Sequence, residues 1–502
     1  MLTAAASTSR SAGSARGAAA ASAGRSAGSA RGAAVAQPAG ERRRPPESEP
    51  MPRATPPEAA QPLLERLGLH RRELRAWALY DWATTGLYVV IVTAVFPVYY
   101  QTVAADGLAP AIASQRYALA TTLGIVLVAL PAPFIGALTD QTPAKKRLLA
   151  SFMLLGVGAT SALFYVERGD WRLALGMFVL VNIGVNGSTI FYDALLPHVA
   201  GSDEVDQVSA GASAVGYVGA TILLLASVVV IEFPGLLGID EGTLPARITF
   251  LATALWWLLF TLPLLRVVPE PRPRIVPGER GSAARRALAR LGATLRDLRS
   301  YRQAFLLMLA YLVYGDGVGT IIRLATVYGA EIGIGQTALL GAVVVVQVVG
   351  IPATFAFGAL AGVIGAKRCI LLALTVYGGV TIVAYFMTSA TEFFVLAFCV
   401  GLVQGGTQAL SRSLFASMIP RYKSGELFGF YGVMDKFAGM MGPAVFAGVI
   451  SLTGSSRQGI LSVLGFFAVG AALLWFVDEG EGRRVAQRAQ AQAMSAEEAG
   501  QG

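Results

Sequence analysis

The chain holds 502 residues, of which 54% are hydrophobic and 14% charged, with a formal net charge of +9 and a mean hydropathy of +0.58. So little charge cannot cover a water-soluble globule, so a membrane protein is expected, and topology rather than nucleic acid, which is not expected as a partner, accounts for the basic excess. Two cysteines and two histidines give no basis for a disulfide framework or for a thiolate or imidazole metal site, and no metal or cofactor is expected.

Residues 1–70 form a low-complexity tail of Ala, Ser, Gly, Arg and Pro, in which the stretch from Ser11 repeats almost verbatim from Ser26. Nothing there can bury a core. Apolar runs begin at Trp77 and predict spans near 77–100, 116–138, 147–166, 171–192, 207–231 and 247–268. A second set follows near 303–323, 336–360, 369–388, 392–414, 427–450 and 458–477. Most of these runs reach the roughly 20 residues a helix needs to cross a bilayer. The fold class that follows is an all-α integral membrane protein of about twelve transmembrane helices, six in residues 71–268 and six in 303–477. Between them, residues 269–302 form a basic linker in which Leu288, Leu291, Leu295 and Leu298 recur at helical spacing. That pattern fits either an amphipathic surface helix or a solvated linker. Residues 478–502 read as a polar tail.

Lys and Arg gather in alternate loops: Lys145, Lys146 and Arg147 after span two, nine Arg in the linker, Lys367 and Arg368 after span eight, Arg421 and Lys423 after span ten. The positive-inside rule puts both termini in the cytoplasm. A multi-pass monomer of the plasma or inner membrane, with the lipid bilayer as its surroundings, is expected. An internal repeat points to two equivalent halves, since Gly136-Ala137-Leu138 precedes Lys145-Lys146-Arg147 and Gly358-Ala359-Leu360 precedes Lys367-Arg368. Parallel repeats of this kind bind solute near the midplane between them.

The loop Gly-Ala-Leu-Thr-Asp140-Gln-Thr-Pro-Ala-Lys-Lys-Arg resembles the signature that major facilitator transporters place between their second and third helices. The resemblance implies that Asp140, Lys145, Lys146 and Arg147 join a charge network at the cytoplasmic gate. Pro143 stands where a glycine is usual, and Gly362 where the second half would carry an acid. Longer strings are more specific: Trp77-Ala-Leu-Tyr-Asp-Trp-Ala83, Phe191-Tyr-Asp-Ala-Leu-Leu-Pro-His198, Tyr314-Gly-Asp-Gly-Val-Gly-Thr-Ile-Ile-Arg323, Gly405-Gly-Thr-Gln-Ala-Leu-Ser-Arg-Ser413, and Phe428-Gly-Phe-Tyr431 with Lys436 before Gly442-Pro443. Over about Trp77 to Trp475 they resemble the vacuole-effluxer-like branch of the major facilitator superfamily. The resemblance implies a secondary transporter of a small polar solute, amino acids among the classes to test, working by alternating access. Enzyme chemistry is not expected, for the sequence contains no Walker loop, nucleophile elbow or His-Glu-x-x-His string.

Ionisable groups cost about 2.5–3.5 kcal/mol at the centre of a membrane helix, so those present should face a cavity or a partner. In span four Asn182, Asn186, Thr189 and Asp193 recur on one helical face. Span seven does the same with Asp316, Thr320 and Arg323, span ten with Gln404, Gln408 and Ser411, and span one with Asp81, Thr85 and Tyr88. In the fold that the resemblance implies, these four helices line the central cavity. The same groups serve equally as hydrogen-bonding glue between helices, and both readings stand at this point. Toward the cytoplasmic ends lie Asp81, Asp193, Arg412, Asp435 and Lys436, which suggests a gate where Asp81 or Asp193 pairs with Arg412 or Lys436. A carboxylate in a partly dry cavity can take up a coupling proton, making Asp81 and Asp316 candidates, unless Arg323 pairs with Asp316 and keeps it structural. The alternative from another class is a non-transporting scaffold or sensor that keeps the fold and docks through the basic linker.

Overall fold

The computed structural model describes residues 63–132, 144–200, 205–238, 242–270, 299–420 and 437–501, with isolated positions among 292–296 and 427–434. The chain divides into two compact units, Met1–Pro57 and Glu58–Gly502, and every described residue belongs to the second. Residues 1–62, the leucine stripe of the linker, and Asp140, Asp435 and Lys436 lie outside the described residues.

Apolar runs of membrane length become helices because a bilayer leaves backbone N–H and C=O groups no partner but one another. In chain order they are α1 (Arg72–Ala104), α2 (Pro110–Ala129), α3 (Lys145–Tyr165), α4 (Trp171–Val199), α5 (Val205–Glu232) and α6 (Leu244–Val267). The second set comprises α7 (Arg302–Glu331), α8 (Gln336–Ile364), α9 (Ala366–Phe386), α10 (Ala390–Ser417), α11 (Met441–Thr453) and α12 (Ser456–Trp475), and a polar α13 (Glu479–Gln501) follows. Among the described residues, eleven of these helices are long and apolar enough to cross a membrane, and α11 is a shorter apolar one. Leu119, Leu123, Leu127 and Leu130 form an exposed stripe on α2, the kind of surface that lipid covers.

Neighbours repeat between the halves. In the first, α1 packs on α5 and α6, α4 on α2 and α3, and α3 on α6; in the second, α7 packs on α11 and α12, α10 on α8 and α9, and α9 on α12. The halves meet through α2 against α11 and α5 against α8. The repeat extends to single bonds. The Tyr80 hydroxyl of α1 donates to Ser188 of α4 at 2.7 Å, and in the matching place Tyr314 of α7 and Ser411 of α10 share a hydrogen bond of 2.6 Å. At the start of α3 the Lys146 N–H donates to the Glu270 carboxylate and its Nζ to the Val268 carbonyl at 2.5 Å. At the start of α9 the Lys367 N–H donates to Glu479, and its Nζ to the carbonyls of Trp475 and Val477, both at 2.7 Å. Each lysine thus ties the third helix of its half to the end of the sixth.

Two departures from regular helical geometry bear on the packing around α7. In α1 the segments Tyr88–Ala94 and Tyr100–Ala104 are π-helical, and Pro97 between them has no N–H to give the Thr93 carbonyl four residues back. Thr326 of α7 fills that gap, donating its hydroxyl to the Thr93 carbonyl at 2.5 Å. The predicted span over 427–450 is broken. A turn at Ala438–Met440, with Gly439 at φ 102°, separates Phe437 from the start of α11. The predicted polar tail also differs: α13 is helical from Glu479, and Gln303 near the start of α7 holds its first turn through Asp478 and Glu481.

Candidate functional site

Two cavities open between the helices, of about 320 Å³ and 260 Å³, and both are walled by Tyr88, Ile322 and Gln408. The larger takes Asp81 and Thr85 from α1, Ser213 and Tyr217 from α5, Gln347 from α8 and Gln404 from α10, with a broad apolar wall that includes Val343, Val346 and Val400. Asn186 of α4, Arg323 of α7 and Thr407 of α10 line the smaller. Both halves of the chain therefore contribute to each space.

Of the polar stripes expected to line a cavity, the structure brings Asp81, Thr85, Tyr88, Asn186, Arg323, Gln404 and Gln408 to these walls. Thr85 donates to Asp81 Oδ1 at 3.4 Å, and the Asn186 amide donates back to the Asn182 carbonyl at 2.9 Å. Six other members of the stripes do not line these walls, among them Asp193, which is exposed, and Thr189, which donates to the Val185 carbonyl at 2.7 Å. Asn182 is buried against Gly124 and donates to the Phe178 carbonyl. Ser411 is taken up by the Tyr314 bond and by the Thr407 carbonyl. Thr320 donates to the Asp316 carbonyl, and its hydroxyl packs so tightly on Gly442 that a Cβ there would collide with it.

Asp316 is fully buried, and its carboxylate accepts from the N–H groups of Met441 at 2.9 Å and Gly442 at 3.0 Å. These are the first donors of α11, and the next residue, Pro443, has none. A helix starting inside a membrane needs its open N–H groups satisfied, and a carboxylate there also complements the positive end of the helix dipole. Asp316 is therefore the cap of the broken helix rather than a cavity residue. It forms no ion pair with Arg323 among the described residues. Arg323 packs instead against Gly319 and Gly439, with its Cζ 5.8 Å from the centre of the Tyr88 ring, and its Nε and Nη1 find no acceptor among the described residues.

Of the expected gate, the pairing of Asp81 or Asp193 with Lys436 falls outside the described residues. Lys145 is buried with its Nζ 3.4 Å from His198, and Lys146 is engaged with Val268 and Glu270, so these contacts stay within the first half. Arg147, Asp193 and Arg412 are exposed, and Arg412 pairs with neither Asp81 nor Asp193. Among the described residues, hydrogen bonds that join the halves lie toward the other end: Thr93 with Thr326, and Ser114 with the Glu331 carboxylate. Gln115 to the Ala447 carbonyl at 3.4 Å and Thr337 to Glu232 at 2.7 Å add to them.

Sequence reasoning missed Gln347, Ser213, Tyr217 and Thr407. Gln347 had a signal, as the lone amide in the apolar run from Ala342 to Gly350. It missed Glu270 and Glu479 too, although Val268-Pro-Glu270 and Val477-Asp-Glu479 repeat the same pattern after spans six and twelve.

Residues 109–487 match the family described as vacuole effluxer Atg22 like. The chain belongs to that family. Among relatives of this Atg22-like protein, the uncharacterized MFS-type transporter YxiO of Bacillus subtilis (strain 168) is 36% identical over 83% of this chain and 97% of its own length. Autophagy-related protein 22-1 of Neosartorya fischeri is 25% identical over 58% of this chain, and the match spans about half of that relative, 51%. The same fold is found in the nucleoside transporter NupG, with a TM-score of 0.57 at 14% identity over 81% of this chain and 99% of that one. It recurs in the D-xylose-proton symporter, with a TM-score of 0.56 at 14% identity over 84% and 99%. The Atg22-like chain is thus a multi-pass membrane transporter of the major facilitator type, and its relatives are transporters rather than enzymes.

Proposed function

We propose that this Atg22-like transporter moves a small polar solute, amino acids first among the classes, through the two adjoining cavities by alternating access of its halves. The observation that carries the reading is the shared wall of Tyr88, Ile322 and Gln408, where residues of both halves bound two adjoining spaces. Hydrogen bonds between the halves at the end where α1 finishes support a conformation closed at that end. The loop charges support reading that end as the outside and both termini as cytoplasmic, and the protein is taken as a monomer in a cell membrane. Asp316 is committed to α11, so the coupling proton falls to Asp81, a carboxylate on the cavity wall whose surroundings change as the halves rock.

Reconstitution of the full chain in proteoliposomes tests this. Counterflow of labelled amino acids is expected in wild type, with accumulation when a pH gradient is imposed. Asp81→Asn keeps counterflow and loses the gradient-driven accumulation, because an amide cannot take up and release the proton. Accumulation by Asp81→Asn at the wild-type level would refute the assignment of the proton.

A further inference from the structure

Arg323 forms no ion pair among the described residues. A guanidinium has five N–H donors, and here Nε and Nη1 are enclosed and meet no acceptor among the described residues, an arrangement that costs stability, while the side chain lines the smaller cavity with the rest of its surface. The acids on its own helix are turned elsewhere: Asp316 meets the N–H groups of Met441 and Gly442, and Glu331 meets Ser114. Its position is not that of a stray surface charge. It lines the smaller cavity beside Asn186 and Gln408, faces the Tyr88 ring of the opposite half, and is flanked by Gly319 and by Gly439 at the break before α11. A Cβ at either glycine would strike the guanidinium, so the two glycines keep its planar fork in place.

We propose that Arg323 is the subsite for an oxyanionic group, a carboxylate or a phosphate, on the transported solute. This rests on the transport reading above and narrows it: neutral sugars and purely cationic solutes are not substrates. The fork of a guanidinium matches two oxygens of one oxyanion, and the amides of Asn186 and Gln408 add neutral partners on the same wall. A cavity of about 260 Å³ suits a small molecule.

The test uses the full chain in nanodiscs and a matched set of probes: L-phenylalanine, its amide, phenylacetate, phenethylamine, D-xylose and inorganic phosphate. Oxyanions are expected to raise Tm, while the amide, the amine and xylose do not. A response to phenylacetate without phosphate marks a carboxylate site, and the converse marks a phosphate site. Arg323→Gln weakens the apparent affinity for the responding oxyanion roughly tenfold or more, and Arg323→Lys weakens it less, since an ammonium keeps the charge but not the fork. Stabilisation by the amide, the amine or xylose without any by an oxyanion overturns the subsite and leaves transport standing. An unchanged oxyanion response in Arg323→Gln overturns it as well. Silence to every probe, whatever its charge, overturns both readings. The acid-against-amide comparison is made on the unaltered chain, so the result does not hang on whether a variant folds.

Discussion

Asp316 illustrates why a carboxylate inside a membrane need not belong to a transport path. Its two oxygens meet the first two donors of α11. Replacing it with Asn keeps one acceptor but presents an amide N–H₂ to backbone donors, so Asp316→Asn is expected to cost about 1–3 kcal/mol. Thermal unfolding of the purified protein in detergent checks this, and an unchanged Tm would show that α11 has another cap. Helical periodicity put Asp316 on the correct face together with Thr320 and Arg323, but periodicity reports a face and not what lies opposite. The deciding partners lie 125 and 126 residues downstream. Arg323 shares the stripe and does reach a cavity, so one pattern covers both outcomes.

Helices α1 and α11 carry their irregularities where they meet α7. In α1 the carbonyl released by Pro97 is recaptured by Thr326, which joins the two halves with a bond that a regular helix would have kept to itself. Thr326→Val fills the same volume without the donor and leaves the Thr93 carbonyl open, an expected loss of about 1 kcal/mol. A fall in Tm measures it, and stability equal to wild type would mean that the carbonyl finds a different donor. Helix α11, at 13 residues, reaches only about 20 Å at 1.5 Å per residue, short of the roughly 30 Å hydrocarbon layer. Hydropathy alone read straight through 427–450 because Phe, Gly, Met and Ala around the break are as apolar as their neighbours. Gly439 and Gly442-Pro443 were visible, but nothing local distinguishes a break from the glycine-rich packing common in membrane helices.

The duplication of the protein was legible from Gly136-Ala137-Leu138 and Gly358-Ala359-Leu360, and apolar run lengths, which a bilayer sets, gave the eleven membrane-length helices and the shorter apolar α11 found among the described residues. What the two basic loops do was not legible. Charge counting gives a sidedness but no partner, and the carboxylates that meet Lys146 and Lys367 sit 124 and 112 residues away. Both lysines fasten helices of their own half, which has a consequence for how the polypeptide can be assembled. Each set of six helices carries its own closing staple, so peptide continuity through residues 271–291 adds little to the integrity of either. Co-expression of two fragments, one ending after Glu270 and one beginning near Arg299, is expected to yield a co-purifying pair with counterflow activity. Lys146→Met or Lys367→Met should cripple the divided protein far more than the continuous chain. Where one polypeptide keeps the halves together whatever the staples do, two must each hold their own shape before they can find the other.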